Sequence, residues 1–442
     1  MSIERPLSHE GVLRRLPLRV NIRWTFAGNV VNSIAQWGML AALAKLGNAD
    51  AVGQFTLGLY IAAPVMALSM MQLRMIQATD AAGEFRFAHY FGTRLILSIA
   101  GIAVIVGVTL AAGYTAQTAW VIVLVGLAKS VESVSEIIRG LFQRFERMDR
   151  SGTSLMIKGP AALGGLALVM WWSGNIIWAA GAISLLWLAA LMLYDLPQAR
   201  RLQAARASAE DDAITLAPSF DRAKMAALIA RAAPLAIGSC LLTLQARIPG
   251  YLLERFDGVA SLGYFGAMVY TMVVGTLIVS ALAQSASPRL AHLYAENPAR
   301  FRRLVGKLAM PVAVVGVIYV LGAWLLGRPL LALLYKADYA DHHIEFVIVA
   351  VASAFEFLAS LLGTALIATR VFRVQLISGA ATCLLVWIPG LLLIPRYGLR
   401  GAAWTLVCVM FVKLMCHLAG FIWLLRRRRT AGPVAVLAEA EP

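Results

Sequence analysis

Four ionisable residues share one face of a predicted helix inside an otherwise apolar stretch. They are Lys129, Glu132, Glu136 and Arg139. Side chains three or four positions apart on a helix are neighbours, so this spacing forms a stripe along the helix. A charge at the centre of a bilayer costs about 2.5–3.5 kcal/mol on insertion scales, and such a stripe should not face lipid. Two interpretations remain open: a ladder of charges that neutralise one another, or a polar face that lines a transport cleft.

Other charges lie inside apolar runs further along the chain. Glu356 and Lys413 each occupy such a run, and Arg247 stands close to Pro249, which can break a helix. No adjacent acid is placed to neutralise Lys129, Arg247 and Lys413 together. Cations in a cleft would suit an anionic group such as a diphosphate. The four cysteines also lie in apolar runs without Cys/His ligand spacing, so neither a metal site nor a cofactor is predicted.

The composition indicates what kind of protein holds these charges. The chain has 442 residues, of which 60% are hydrophobic and 14% charged, whereas soluble domains have about 25% charged residues. Apolar runs long enough to cross a bilayer recur throughout, so we predict an all-α integral membrane protein with about twelve transmembrane helices. The predicted helices cover residues 22–46, 52–77, 88–113, 118–143, 152–173, 175–194, 230–253, 259–284, 304–327, 345–369, 374–394 and 400–425.

The basic residues orient these helices. Lys and Arg concentrate in the cytoplasmic loops of membrane proteins. With the N-terminus inside, most of the 39 Lys and Arg residues fall on the inner segments, among them Arg23, Arg74, Arg94 and Lys158. We therefore predict a multi-pass membrane protein with both termini in the cytoplasm. The net charge of +16 then reflects topology, and nucleic acid is not a predicted partner.

The chain divides into two similar halves of six predicted helices. The sequences GQF at 53–55 and GYF at 263–265 each open the second helix of a half after a short outer loop. Both halves then have the same orientation and should pair as a parallel repeat with a cleft between them. The predicted parts are an N-terminal six-helix lobe at 1–194, a cytoplasmic linker at 195–229, a C-terminal six-helix lobe at 230–425 and a cytoplasmic tail at 426–442.

Five segments, taken in order, resemble a known family. They are LAKLGNADAVGQFTLGLYIAAPV, MQLRMIQATDAAGEFRFAHYFGTRL, RGLFQRFERMD, SASPRLAHLYAENPARFRRLVGKL and IPRYGLRGAAWTLV. With these segments the chain resembles the polysaccharide-transporter branch, the O-antigen (Wzx-type) flippases, of the multidrug/oligosaccharidyl-lipid/polysaccharide (MOP) flippase superfamily. The resemblance covers nearly the whole chain.

The resemblance implies a two-lobed transporter that moves a polyprenyl-diphosphate-linked oligosaccharide across the inner membrane by alternating access. The cargo would be a repeat unit of O-antigen, capsule or exopolysaccharide. The implied partners are this lipid-linked oligosaccharide, the membrane lipids, and the glycosyltransferases and polymerase of the same pathway. The resemblance also implies a cationic central cavity, to which Lys129, Arg247 and Lys413 would contribute. Arg74 and Arg23 would then lie near its inner mouth.

A cation-coupled exporter of drugs or organic cations, from the same superfamily, is the alternative. It requires an acidic cavity, in which Glu132, Glu136 and Glu356 would bind the coupling proton or sodium ion. Drug-exporting relatives often carry an acid in the first helix, and this chain has none between Arg23 and Lys45. An enzyme is not predicted, because no metal-binding acid pair, nucleophile motif or large outer domain is present.

Overall fold

The computed structural model describes residues 15–80, 84–207, 215–369 and 372–430, and within these ranges the chain is helical with no β-strand. A π-helical turn, Leu191–Asp195, connects α7 to α8. The α-helices are α1 (Leu18–Leu46), α2 (Ala49–Met70), α3 (Leu73–Thr79), α4 (Phe87–Ala111), α5 (Ala116–Arg144), α6 (Met148–Ser173), α7 (Ile176–Ala190), α8 (Leu196–Ala207), α9 (Arg222–Gln245), α10 (Ile248–Asp257), α11 (Val259–Glu296), α12 (Pro298–Leu334), α13 (Ala337–Ala340), α14 (His343–Ala368), α15 (Phe372–Leu385) and α16 (Trp387–Thr430).

Nine helical stretches within the described ranges are long and apolar enough to cross a membrane. The predicted all-α membrane fold is therefore confirmed. Two further predicted spans fall on α1 and α5, whose polar residues lower their mean hydropathy. Gly398 lies between the last two predicted spans, 374–394 and 400–425, and its φ of 50° and ψ of −126° are not helical, so α16 consists of two helices that meet at a kink there. The count of twelve stays a prediction.

The first compact unit, Met1–Thr243, is built around α5. This helix contacts α2, α4 and α7, while α1 packs along α6. Glycines bring α1 and α6 together: a Cβ on Gly28 would lie 2.8 Å from the Cα of Gly152. A Cβ on Gly152 would in turn lie 2.5 Å from the backbone oxygen of Trp24. Small residues of this kind allow close helix packing in membranes, where the hydrophobic effect does not drive association.

The second compact unit, Leu244–Pro442, is built around α14. This helix contacts α11, α12 and α16, and α10 packs on α16. An apolar cluster that includes Phe301, Leu366 and Phe421 fills part of its interior. Counted by predicted span, α5 and α14 are both the fourth helix of their half. The same scheme of contacts therefore recurs in the two units.

The division between the units falls inside α9, after Thr243, whereas the predicted linker covers 195–229. Helix α8 and the first part of α9 pack on the first unit: Leu202, Leu228 and Ala232 join a cluster with Tyr90 and Phe142. Residues 208–214 of the linker and 431–442 of the tail lie outside the described residues. The predicted domain boundaries stay a prediction.

Candidate functional site

The charged stripe predicted from the sequence lies on α5, the central helix of the first unit. Lys129 Nζ donates a hydrogen bond to Glu132 Oε2 at 2.8 Å, and it lies 5.1 Å from the ring centroid of Trp187 on α7. Glu136 instead pairs across helices, since Arg94 Nη2 of α4 donates to Glu136 Oε2 at 3.2 Å. The stripe thus combines an ion pair within one helix and an ion pair between two helices.

The predicted charges of the second unit also join two helices. Lys413 Nζ on α16 donates to both carboxylate oxygens of Glu356 on α14, at 2.8 and 2.7 Å. One turn further along α16, the buried ring of His417 has Nδ1 2.8 Å from the carbonyl oxygen of Ala359 and Nε2 3.0 Å from Ser378 Oγ. These partners fit a neutral ring that donates to Ala359 and accepts from Ser378.

Lys129 and Lys413 therefore each have a carboxylate partner. Lys129 pairs with Glu132 one turn away, as the ladder interpretation expects, and Glu356 reaches Lys413 from another helix. Neither pair is sealed: the side chains are 24% and 20% exposed in the first and 15% and 19% in the second. A partly exposed pair can exchange a partner with an incoming ion.

The remaining predicted cations occupy three different settings. Arg247 is half-buried and precedes α10, directly after α9 ends. Arg23 is exposed on α1. Arg74 is half-buried on α3, where its Nε donates to Gln143 Oε1 at 3.1 Å. The convergence of the predicted cations in one cavity stays a prediction.

A buried ion pair in the first unit was not predicted. Lys158 Nζ on α6 lies 2.6 Å from Asp195 Oδ2, and the two side chains are 3% and 0% exposed. Ser135 Oγ on α5 donates to the same carboxylate oxygen at 2.6 Å, and Lys158 also donates to Ser135. Asp195 is the last residue of the π-helical turn, a feature that is frequent at functional sites.

The sequence contained a signal for this pair. Lys158 falls inside the predicted span 152–173, and Asp195 directly follows the span that ends at 194. The distribution of basic residues places Lys158 and Arg94 on the inner side but does not indicate that they are buried between helices. Both side chains are almost fully buried, so each needed a partner within the bundle.

One carboxylate orders the connection that precedes α4, outside the membrane-spanning helices. Asp80 accepts hydrogen bonds from the backbone N–H groups of Glu84 and Phe85, each at 3.1 Å, and from the Tyr90 hydroxyl at 3.2 Å. Burial alone would raise the pKa of Asp80. The hydrogen bonds to the charged carboxylate outweigh burial and hold this pKa below its ordinary value.

Comparison with families of known proteins finds no matching family. Among single proteins, the chain is 26% identical over 398 residues to the capsular polysaccharide biosynthesis protein CapF of Staphylococcus aureus. That alignment covers 90% of this chain and 97% of CapF.

Solved structures match the fold along nearly the whole chain. An inward-facing multidrug resistance MATE family transporter of the MOP superfamily is 12% identical with a TM-score of 0.69, over 90% of this chain and 95% of that chain. A MOP superfamily transporter from Pyrococcus furiosus, described by a reverse polarity of its binding pocket, is 15% identical with a TM-score of 0.59, over 96% and 98% of the two chains. The chain is thus similar in sequence to a capsular polysaccharide biosynthesis protein and has the fold of solved MOP superfamily transporters, and its apolar helices fit a multi-pass membrane protein.

Proposed function

We propose that the chain is a flippase for a polyprenyl-diphosphate-linked oligosaccharide, a repeat unit of O-antigen, capsule or exopolysaccharide. The likeness to a capsular polysaccharide biosynthesis protein over 90% of the chain supports this class of cargo. The structural observation that carries the proposal is that each unit holds a partly exposed lysine–carboxylate pair whose carboxylate lies on the central helix. Such pairs are costly in a bilayer, so a role in binding an anionic group explains them better than packing does.

The two pairs suggest how the cargo is held and released. A phosphate oxygen accepts the same charge-assisted hydrogen bonds from an ammonium group as a carboxylate does. The diphosphate would therefore take the place of Glu132 as the hydrogen-bond acceptor of Lys129, or of Glu356 as the acceptor of Lys413. The lysine ammonium group would then keep charge-assisted hydrogen bonds of similar strength. The carboxylate that is released inside the membrane would be stabilised by binding a proton, because its charge has lost its partner. In this scheme the lysine of each pair binds the cargo, and the carboxylate of the same pair binds the coupling proton.

The other predicted residues have supporting roles in the proposal. Arg23 and Arg74 would attract the diphosphate at the cytoplasmic entrance, and Arg247 would contribute to the cavity from the second unit. Glu136 would be a further coupling acid, held by Arg94. The protein would act in the bacterial inner membrane with both termini in the cytoplasm, alongside the glycosyltransferases and polymerase that make and use its cargo.

The proposal is tested by producing variants of the protein in cells from which its own gene has been deleted. The double variant Lys129→Ala/Lys413→Ala should abolish surface polysaccharide while the amount of protein in the membrane stays normal. The matched control, Lys45→Ala/Lys224→Ala, removes the same charge from two exposed positions and should restore wild-type polysaccharide. Full polysaccharide in the Lys129/Lys413 variant would remove these residues from the mechanism.

Export of small organic cations is the second candidate, because the structural neighbours include multidrug resistance transporters. This function would use Glu132, Glu136 and Glu356 without the lysines. Drug susceptibility of a deletion strain separates the two candidates. A strain that keeps its surface polysaccharide and becomes drug-sensitive would favour export, whereas loss of polysaccharide with unchanged drug sensitivity favours the flippase.

A further inference from the structure

Arg139 is a buried arginine to which the described part of the chain offers no acceptor. It lies on α5 with 5% of its surface exposed, and neither its Nε nor its Nη1 has a hydrogen-bond partner among the described residues. It forms no ion pair within those residues either. A buried guanidinium without acceptors is strongly destabilising, so this arrangement calls for a partner of another kind.

Two other arginines lie around Arg139. Arg94 on α4 is fully buried, and only its Nη2 has an acceptor, Glu136; its Nε and Nη1 have none among the described residues. Arg74 on α3 is half-buried, and its charge interacts with those of Arg139 and Glu136. Arg94 also interacts electrostatically with Arg139. Three guanidinium groups from three helices thus lie close to one another, Arg94 and Arg74 interact with Glu136, and Arg139 also interacts with the paired Glu132.

The neighbouring charges do not compensate this excess. Lys129 is paired with Glu132, and Lys158 is paired with Asp195, so each of those pairs is neutral. The three arginines and Glu136 together carry a net charge of two positive units. An anion with two negative charges would neutralise the cluster. Phosphate groups suit it in shape as well, since the guanidinium fork binds two phosphate oxygens at once.

We propose that Arg94 and Arg139, with Arg74 on the more exposed side, form a binding site for a phosphate dianion inside the first unit. The site is open to entry, because Arg74 is half-buried and the Glu136 side chain is 21% exposed. The phosphate would come either from the diphosphate of the lipid-linked cargo or from free phosphate. Only the first source rests on the proposed function.

Purified full-length protein in detergent tests the site directly. In buffer without phosphate or sulfate, orthophosphate and farnesyl diphosphate are titrated separately while thermal unfolding is followed. At least one of them should raise the Tm of the wild type in a saturable way. Arg139→Gln and Arg94→Gln should weaken the apparent affinity by about tenfold or more, since each removes charge-assisted hydrogen bonds. Arg328→Gln, which removes the same charge from an exposed position in the second unit, should bind like the wild type.

A second readout keeps the proposal falsifiable if one variant folds poorly. Arg139→Lys keeps the charge but loses the planar fork, so it should fold and bind more weakly than the wild type. In anion-free buffer Arg139→Gln should also have a higher Tm than the wild type, because it removes a buried charge without a partner. A wild type that binds neither phosphate compound, or an Arg139→Gln variant that binds as tightly, would overturn the proposal.

The two probes and a cell assay separate this site from the proposed function. Binding of farnesyl diphosphate alone assigns the site to the cargo, and binding of orthophosphate as well assigns it to phosphate from either source. If Arg139→Gln loses phosphate binding but still supports surface polysaccharide, the site holds a resident ion. If the deletion strain keeps its polysaccharide, the proposed function fails while the binding result stands.

Discussion

The two units share a packing scheme and differ in what they bury. In each, the fourth predicted helix of the half is central: α5 contacts α2, α4 and α7, and α14 contacts α11, α12 and α16. The first unit buries Arg94 with Glu136 and Lys158 with Asp195 in addition to Lys129 with Glu132. In the described part of the second unit, the corresponding intramembrane pair is Lys413 with Glu356, accompanied by the hydrogen bonds of His417 with Ala359 and Ser378.

The two units are therefore alike in their helix contacts and different in their charged side chains. The contacts among the helices follow the same order in the two units. The charged residues do not: Lys129 is paired with an acid of its own helix, whereas Lys413 is paired with an acid of another helix. Similar helix contacts are therefore compatible with different polar side chains in the two units.

The largest effect is expected from breaking the sealed pair of the first unit. Asp195→Leu leaves Lys158 charged and buried without a partner, which should cost about 3–5 kcal/mol of unfolding free energy. Thermal unfolding and membrane yield measure the loss. The double variant Lys158→Met/Asp195→Leu should recover most of it, because the apolar pair needs no compensation. A single variant as stable as the wild type would contradict the burial of this pair.

The equivalent change in the second unit should cost less. Glu356→Gln removes a hydrogen-bonded charge from Lys413, but 15% of the Lys413 side chain is exposed, compared with 3% for Lys158. We expect a loss of about 1.5–3 kcal/mol, the range for hydrogen bonds to charged groups. The same unfolding measurement checks this value against that of Asp195→Leu. An equal or larger loss would mean that the two units bury their charges to the same degree.

Glycine contacts give a third comparison between the units. The added Cβ of Gly152→Ala would lie 2.5 Å from the backbone oxygen of Trp24, which cannot move without shifting α1. The Cβ of Gly390→Ala would lie 2.5 Å from Cδ1 of Leu252, the end of a flexible side chain. We expect Gly152→Ala to destabilise by about 1–3 kcal/mol and Gly390→Ala by less than about 1 kcal/mol. Comparable Tm values for the two variants would contradict the rigid contact between α1 and α6.

The smallest expected effect is the pH dependence of the stability that Asp80 contributes outside the membrane-spanning helices. Because the folded pKa of Asp80 lies below its ordinary value, this carboxylate adds stability above the unfolded pKa and loses it as pH falls through the folded pKa. Asp80→Asn should therefore be less stable than the wild type at about pH 7, and the difference should shrink below about pH 4. A Tm difference that stays constant over this range would contradict the assignment.

The second unit supplies the control for that experiment. Its connection between α11 and α12 is capped by a neutral amide, since Asn297 Oδ1 accepts from the backbone N–H of Arg300 at 3.0 Å. Asn297→Ala should lower the Tm by the same amount at both pH values, because an amide does not titrate in this range.

Most of the fold follows from apolar run length. Each predicted span falls on helical chain because the backbone must satisfy its hydrogen bonds locally in lipid. The breaks inside the spans 230–253 and 374–394, where one helix ends and another begins, do not follow from hydropathy. The kink at Gly398 lies in the gap between the last two predicted spans, and glycine readily adopts the positive φ found there.

The candidate site was predictable only within a single helix. The spacing of Lys129 and Glu132 is sufficient to predict their contact. The contact of Glu356 with Lys413, which is 57 residues away, depends on how α14 packs against α16. The pairing of Lys158 with Asp195 depends in addition on a helix that departs from α geometry, which no hydropathy pattern reveals.

The π-helical turn Leu191–Asp195 accommodates one residue more than an α turn over nearly the same rotation, so the residues after it keep almost the direction that a regular turn would give them. A deletion of one residue from the regular part of α7 would instead rotate the Asp195 carboxylate by about 100° away from Lys158. Such a deletion should destabilise the protein as Asp195→Leu does, although both members of the ion pair are still present.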